Sequence, residues 1–298
     1  MNQLTPQAQA IVQAHQDQLA LPVVSLAATH YSREDAIYRS AKQACLAMGF
    51  IEIDAECLGR AWQAMTQRLG AFDPLRWPDE PADFGLQPWP REQAFATCPH
   101  ALGLYAVLPD AAWVARMARA GVPTVQLRMK SDDARDVLRE VKAAVQAVQG
   151  TGALLFINDH WQAAIEAGAY GVHLGQEDMA VANLQTIRAA GLRLGLSSHG
   201  YAEMLRADTF SPSYIAMGAV FPTTLKRMAT APQGAGRLHA YARLMRHYPT
   251  VAIGGIDAGN LAQVKTSGAG SFAVVRAITA APDPEQAAAE LMRLIGGA

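Results

Sequence analysis

The chain has 298 residues, 51% of them apolar, and a formal net charge of −1. That length suits one large domain or a domain with an appendage, and so balanced a charge argues against a polyanion-binding surface and hence against a nucleic-acid partner. No basic leader precedes an apolar run and no stretch is long enough to cross a bilayer, which predicts a soluble, cytoplasmic protein with no membrane role.

In chain order, residues 5–20 are rich in Gln and Ala and predict a helix. Ser32, followed by Glu34 and Asp35, suits the start of a second. Residues 54–70 predict a third. Between 73 and 99 come Pro74, Pro78, Pro81, Pro88, Pro90 and Pro99, each of which fixes φ and removes a donor. This part reads as a linker or an irregular wrap, and Trp77 and Trp89 within it predict packing against another surface. The cysteines Cys45, Cys57 and Cys98 fit no zinc spacing, and their odd number argues against a disulfide framework. Buried or idle thiols are expected. Residues 1–100 therefore read as an extension, helical and then Pro-rich, whose role the sequence does not assign. No site is evident in it.

From residue 102 a regular alternation begins. Strands are predicted at 104–108, 124–130, 153–159, 171–175, 192–197, 214–221, 250–254 and 271–277, with amphipathic helices between them. The clearest helix is 132–148, where Val137, Val141, Ala144, Val145 and Val148 recur at helical spacing. This alternation over residues 101–298 predicts a (β/α)8 TIM barrel of α/β class. A doubly wound open sheet is the rival, but it would gather its site at one crevice. Here polar residues end strand after strand, as at the C-terminal mouth of a closed barrel.

Gln126, Arg128 and Lys130 share one face if the strand runs through them, with Val125, Leu127 and Met129 on the other. An inward Arg and Lys need anions, and Arg can grip a phosphate through two hydrogen bonds. The competing reading is a structural ion-pair network with Asp159 and Asp178. Those two carboxylates end neighbouring strands beside Asn158; they are hard oxygen donors suited to Mg2+, although Asp residues after strands also cap helices. Ser197 and His199 invite a nucleophile reading, but no nucleophile elbow surrounds them, and a hydroxyl donor to phosphate fits better. His173 is expected to point inward in a supporting role. Lys226 lies in a Thr/Pro loop after the sixth strand. Gly254-Gly255 and the 274–278 run end the last two strands, where phosphates often bind in this architecture. Two anion sites are thus expected.

The residues that carry this pattern are Gln-Leu-Arg-x-Lys at 126–130, Asn-Asp at 158–159, Gly-Val-His-Leu-Gly-Gln-Glu-Asp at 171–178 and Gly-x-Ser-x-His at 195–199. They continue with Gly-x-x-Phe-Pro-Thr at 218–223, Lys226, Ala-Pro-Gln-Gly at 231–234 and Ile-Gly-Gly-Ile at 253–256. As a set, over residues 102–298, they resemble thiamine-phosphate synthase (thiamine-phosphate pyrophosphorylase), a Mg2+-dependent TIM-barrel family. The family condenses 4-amino-2-methyl-5-hydroxymethylpyrimidine diphosphate with a thiazole phosphate and releases pyrophosphate. The resemblance implies that Gln126, Arg128, Lys130, Asn158, Ser197 and Lys226 bind the pyrimidine diphosphate, with Arg128, Lys130, Ser197 and Lys226 as catalytic groups. It implies that Asp159 and Asp178 hold Mg2+, and that Thr223, Thr224, Gly255, Val275 and Arg276 face the thiazole phosphate. It leaves a homodimer open as the assembly.

Three positions depart from the family pattern. Leu225 stands where a second Thr usually follows, Arg276 where a Ser usually stands, and Met129 where Glu is common. Arg276 is expected either to compensate for Leu225 by binding the phosphate, or a carboxylate on the thiazole, or to swing into solvent. A thiazole tautomerase, with His199 as acid–base, and a non-catalytic barrel that binds thiamine precursors are the rival functions.

Overall fold

The computed structural model describes residues 4–23, 30–223 and 230–297. Three helices come first: α1 (Pro6–Leu19), α2 (Ala36–Ala47) and α3 (Glu52–Leu69). The cap of α2 is Asp35 and not Ser32; its carboxylate accepts from the Tyr38 N–H at 2.8 Å. Ser32 turns instead to the Tyr38 hydroxyl and to Glu56.

The Pro-rich segment is a wrap around the next domain. It contains one short turn of 3-10 helix at Pro81–Phe84. Trp77 Nε1 donates to the Tyr201 hydroxyl at 2.9 Å and Trp89 Nε1 to the Pro212 carbonyl at 3.2 Å.

The barrel then follows. Its first half is β1 (Gly103–Leu108), α4 (Ala111–Arg119), β2 (Thr124–Leu127), α5 (Ala134–Val148), β3 (Leu154–Asn158), α6 (Trp161–Ala167) and β4 (Gly171–Leu174). Its second half is α7 (Leu184–Ala189), β5 (Arg193–Ser198), α8 (Tyr201–Asp208), β6 (Tyr214–Met217), α9 (Gly234–Leu244), β7 (Thr250–Ile253), α10 (Leu261–Lys265), β8 (Ser271–Val274), α11 (Arg276–Thr279) and α12 (Pro284–Gly296). The eight parallel strands close in sequence order, β8 pairing with β1. The open-sheet alternative is thereby removed.

Several strands are shorter at the mouth than the sequence suggests. β2 stops at Leu127 because its neighbour ends there, Leu108 pairing with Leu127. Beyond that point no ladder holds the chain, so the inward alternation does not continue to Lys130. β6 and β8 likewise end at Met217 and Val274, three or four residues before the hydrophobic run does.

Two apolar clusters result. Tyr105, Val107, Phe156, Tyr214, Ala216, Val251 and Ala273 fill the barrel. Glycines make the room: a Cβ on Gly195 would lie 2.1 Å from the Tyr214 ring, and one on Gly171 2.5 Å from Phe156. The second cluster lies between strands and helices and runs without a break into Ile11, Cys45, Leu58 and Trp62 of the N-terminal helices. These helices pack on α8 and α9, so the extension shares the barrel's core. No helix of the described residues is long and apolar enough to cross a membrane.

Candidate active site

The strand ends open onto a cavity of about 450 Å3. Gln126, Arg128, Asn158, Asp159, Asp178, Ser197, Thr223, Gly255, Val275 and Arg276 all line it. The parity of the strands explains the gathering: Val107 pairs with Gln126, Asn158 with His173, and Ser197 with Ala216, all on the inner face. Lys130 does not join them. It is exposed, because the strand that was to carry it inward stops at Leu127. Thr224, Leu225 and Lys226 lie outside the described residues. Among the described residues no salt bridge joins Arg128 or Lys130 to Asp159 or Asp178, although the Arg128 charge acts on Asp159.

A buried hydrogen-bonded chain crosses the barrel beneath the cavity. Gln126 Nε2 donates to the Tyr105 hydroxyl at 3.0 Å, and Tyr105 and Tyr214 share hydroxyls at 2.8 Å. Tyr214 meets His173 Nδ1 at 2.7 Å, and His173 Nε2 meets Ser197 Oγ at 2.8 Å. One direction gives every proton an acceptor: Gln126 to Tyr105 to Tyr214 to His173 to Ser197. Burial holds both phenols protonated by pushing their pKa values up. In that direction His173 accepts at Nδ1 and donates from Nε2 to Ser197 Oγ, the tautomer that frees the Ser197 hydrogen to serve as a donor toward the cavity. Gln176 Nε2 holds the same residue from the other side, donating to the Ser197 carbonyl at 2.6 Å.

Tyr105 and Tyr214 did not stand out in the sequence as site residues. The signal was available: both occupy inward parity on strands whose ends carry polar residues. His199 is also part of the wall. Its backbone N–H and its Nδ1 both reach Glu203 Oε2, at 2.8 and 2.6 Å.

Asp159 sits in the left-handed region at φ 62°, which breaks the strand alternation at the mouth. Its carboxyl is pushed up to about 6, first by burial and then by the neighbouring Asp178. Arg128 and Asn158 act in the opposite direction. Two carboxyls this close repel unless a proton or a cation lies between them. They are hard oxygen donors, and no group of three or more His, Cys, Asp or Glu suited to a metal occurs among the described residues. The pair therefore fits Mg2+, which draws its other ligands from water and substrate oxygens, better than zinc.

On the opposite side of the mouth, Gly254 and Gly255 have φ of 107° and 64°. A Cβ on Gly255 would lie 2.7 Å from the Pro222 carbonyl oxygen. Only glycine lets this turn approach the 219–222 segment. Arg276 begins the four-residue α11 beside it, exposed and without an ion pair among the described residues.

The chain is similar to known proteins. The family model for thiamine monophosphate synthase matches residues 104–278. A thiamine-phosphate synthase of Neisseria meningitidis is 56% identical over 184 residues, which is 62% of this chain and 90% of that protein. One from Serratia proteamaculans is 50% identical over 203 residues, 68% of this chain and 96% of its own. The solved structure of a thiamine phosphate pyrophosphorylase from Pyrococcus furiosus superposes with a TM-score of 0.59 at 28% identity, covering 66% of this chain and 98% of that one. The family match begins at residue 104, so α1, α2 and α3 lie outside it. From residue 104 to residue 278, in motif and in fold, this chain belongs to the thiamine monophosphate synthase family.

Proposed function

We propose that the chain is an active thiamine-phosphate synthase, a transferase that joins 4-amino-2-methyl-5-hydroxymethylpyrimidine diphosphate to a thiazole phosphate and releases pyrophosphate. The observation that carries this reading is the convergence of Gln126, Arg128, Asn158, Asp159, Asp178 and Ser197 on one side of a single cavity, with Gly255, Val275 and Arg276 on the other.

In this reading the pyrimidine diphosphate lies along β2–β5. Gln126 orients the pyrimidine, and Arg128 and the Ser197 hydroxyl hold the diphosphate. As the exocyclic C–O bond breaks, charge builds on the departing pyrophosphate, and donors already aimed at it lower the barrier. Asp159 and Asp178 would hold Mg2+, which when bound supplies further neutralisation of that charge. The ring-stabilised cation is trapped by the thiazole nitrogen, whose phosphate tail rests on the Gly255 and Val275–Arg276 backbone. Thr223 faces the same end. Lys130, which is exposed, and Thr224 and Lys226, which lie outside the described residues, are assigned to the diphosphate or thiazole phosphate by the family likeness alone. No general base is required, because the leaving group takes only the bonding electrons. The proposed setting is a cytoplasmic small-molecule enzyme.

A coupled assay for pyrophosphate release tests the reading. Release that needs both substrates and falls to background on chelation of divalent ions is the expected result. Isomerisation of a thiazole carboxylate phosphate without pyrophosphate release would favour the tautomerase reading. Binding without turnover would favour a precursor-binding barrel.

A further inference from the structure

The helix that follows β5 lacks a cap of its own. Gly200 stands at the N-cap of α8 in extended conformation, with no side chain to accept from the first free N–H groups. Asp54, from α3 in the extension, takes that place. Its Oδ1 accepts from the Ala202 N–H at 2.8 Å. A Cβ on Gly200 would lie only 2.0 Å from Asp54 Oδ2, so the glycine is what admits the carboxylate. Asp54 is 4% exposed.

The extension also grips the first residue of α8. Tyr201 is fully buried. Phe84 stacks on its ring at 5.5 Å, Phe50 lies at 6.2 Å, and Trp77 donates to its hydroxyl. The next residue but one, Glu203, is the group that holds His199 by its backbone N–H and its ring. His199 in turn lines the cavity beside Ser197 and Ser198. A continuous set of contacts thus runs from Asp54 through the first turn of α8 and Glu203 to His199.

We infer that the N-terminal extension is a working part of this active site: Asp54 is a positioning residue that caps α8 in place of the cap missing at Gly200, and so fixes His199 and the end of β5 that carries Ser197 for the substrates. The inference rests on the thiamine-phosphate synthase reading. It assigns a role to residues that the family match does not include. It differs from a purely structural role, in which the extension would cover the barrel's outer face and leave turnover untouched.

A cap swap in the full chain tests it. Asp54→Ala removes the cap, and Gly200→Ser alone overlaps the Asp54 carboxylate. The double substitution D54A/G200S restores a cap from within the helix, because Ser is a favoured N-cap and Gly200 already has the extended backbone that position uses. Kinetics of pyrophosphate release are read together with amide hydrogen exchange at residues 199–203. D54A is expected to lower kcat about tenfold, as a misplaced site group does, and to speed exchange at Tyr201 and Ala202. The double variant is expected to return kcat to within about threefold of the unsubstituted chain, since the cap interaction itself is restored. A double variant no better than D54A would overturn the inference. So would a D54A chain with fast exchange at Tyr201 and Ala202 but unchanged kcat and KM. If D54A fails to fold, the double variant alone decides. An unsubstituted chain that releases no pyrophosphate would defeat the functional reading instead, and exchange at Tyr201 and Ala202 would still report the cap.

Discussion

Replacing Arg237 with Met should loosen the extension from the barrel and cost a large share of the protein's stability. Arg237 stands on α9 and is 3% exposed. Its Nε donates to the Leu19 carbonyl and its Nη2 to the Met48 carbonyl, both at 2.9 Å. Those oxygens belong to the ends of α1 and α2, where the last carbonyls have no partner in their own helix. Nη1 reaches Gln233 Oε1 at 3.2 Å, and the guanidinium lies 3.6 Å over the Phe50 ring. One side chain therefore terminates two helices of the extension. Methionine keeps the apolar stem but leaves the Leu19 carbonyl unpaired and the Met48 carbonyl with only the Leu21 N–H. One buried orphan at 1–3 kcal/mol, together with the lost contact over the Phe50 ring, should cost about 3 kcal/mol. For a chain of this size each kcal/mol moves the midpoint by about 2–4 °C, so Tm should fall by about 6 °C or more. Arg237→Lys should recover little, because a single ammonium cannot serve both helix ends and the ring at once. Thermal unfolding followed by circular dichroism measures both. A drop below about 2 °C for Arg237→Met would refute the claim that this residue ties the extension down.

Arg276→Ser should raise the KM for the thiazole phosphate about tenfold, the effect of losing one charge-assisted contact, with kcat nearly unchanged; steady-state kinetics with an unaltered KM would place Arg276 in solvent. Asp54 gives a pH signature. Burial raises its pKa to about 6, so between about pH 4 and 6 the folded chain holds a proton that the unfolded chain has released. Stability therefore declines as pH rises through that window, by about 3 kcal/mol in all. Asp54→Asn lacks this slope, and the Tm difference between the two chains should grow in favour of the parent as pH falls from 7 to 4; a constant difference would contradict it. Burial pushes the thiols of Cys57 and Cys98 up to about 11 and about 12, and that of Cys45 higher still. Alkylation of the native protein at pH 8 should therefore be slow at all three, and intact mass after brief iodoacetamide treatment should show no adduct.

The barrel was legible because its signals are local. Each strand carries its own apolar run, and Val137, Val141 and Ala144 mark the buried face of α5 from sequence spacing alone. The inner wall was legible for the same reason, since parity along one strand places Gln126 and Asn158 without knowledge of the others. Lys130 was misplaced because strand length is set by a neighbour: β2 ends where β1 does. The hydrogen-bonded chain through Tyr105 and Tyr214 was hidden because its members come from five strands, and nothing in any one strand announces the other four. The contact of Asp54 with α8 joins positions 148 residues apart. Its only local trace was Gly200, a weak residue at a helix start. The Pro-rich wrap announced its packing through Trp77 and Trp89 but not what they would touch.

Gly195 has no side chain to offer the chemistry, yet its hydrogen atom decides whether the chemistry can be assembled. The Tyr214 ring fills the volume that any Cβ at Gly195 would occupy, and that ring carries the hydroxyl linking Tyr105 to His173. The two positions therefore share one allotment of space and are locked together in mutation. Enlarging residue 195 evicts the phenol, which itself lines the cavity, and interrupts the hydrogen-bonded chain that ends at Ser197. A survey of variants that scored each position singly would record Gly195 as a packing residue. Scored in pairs with Tyr214, it would separate as a determinant of substrate binding.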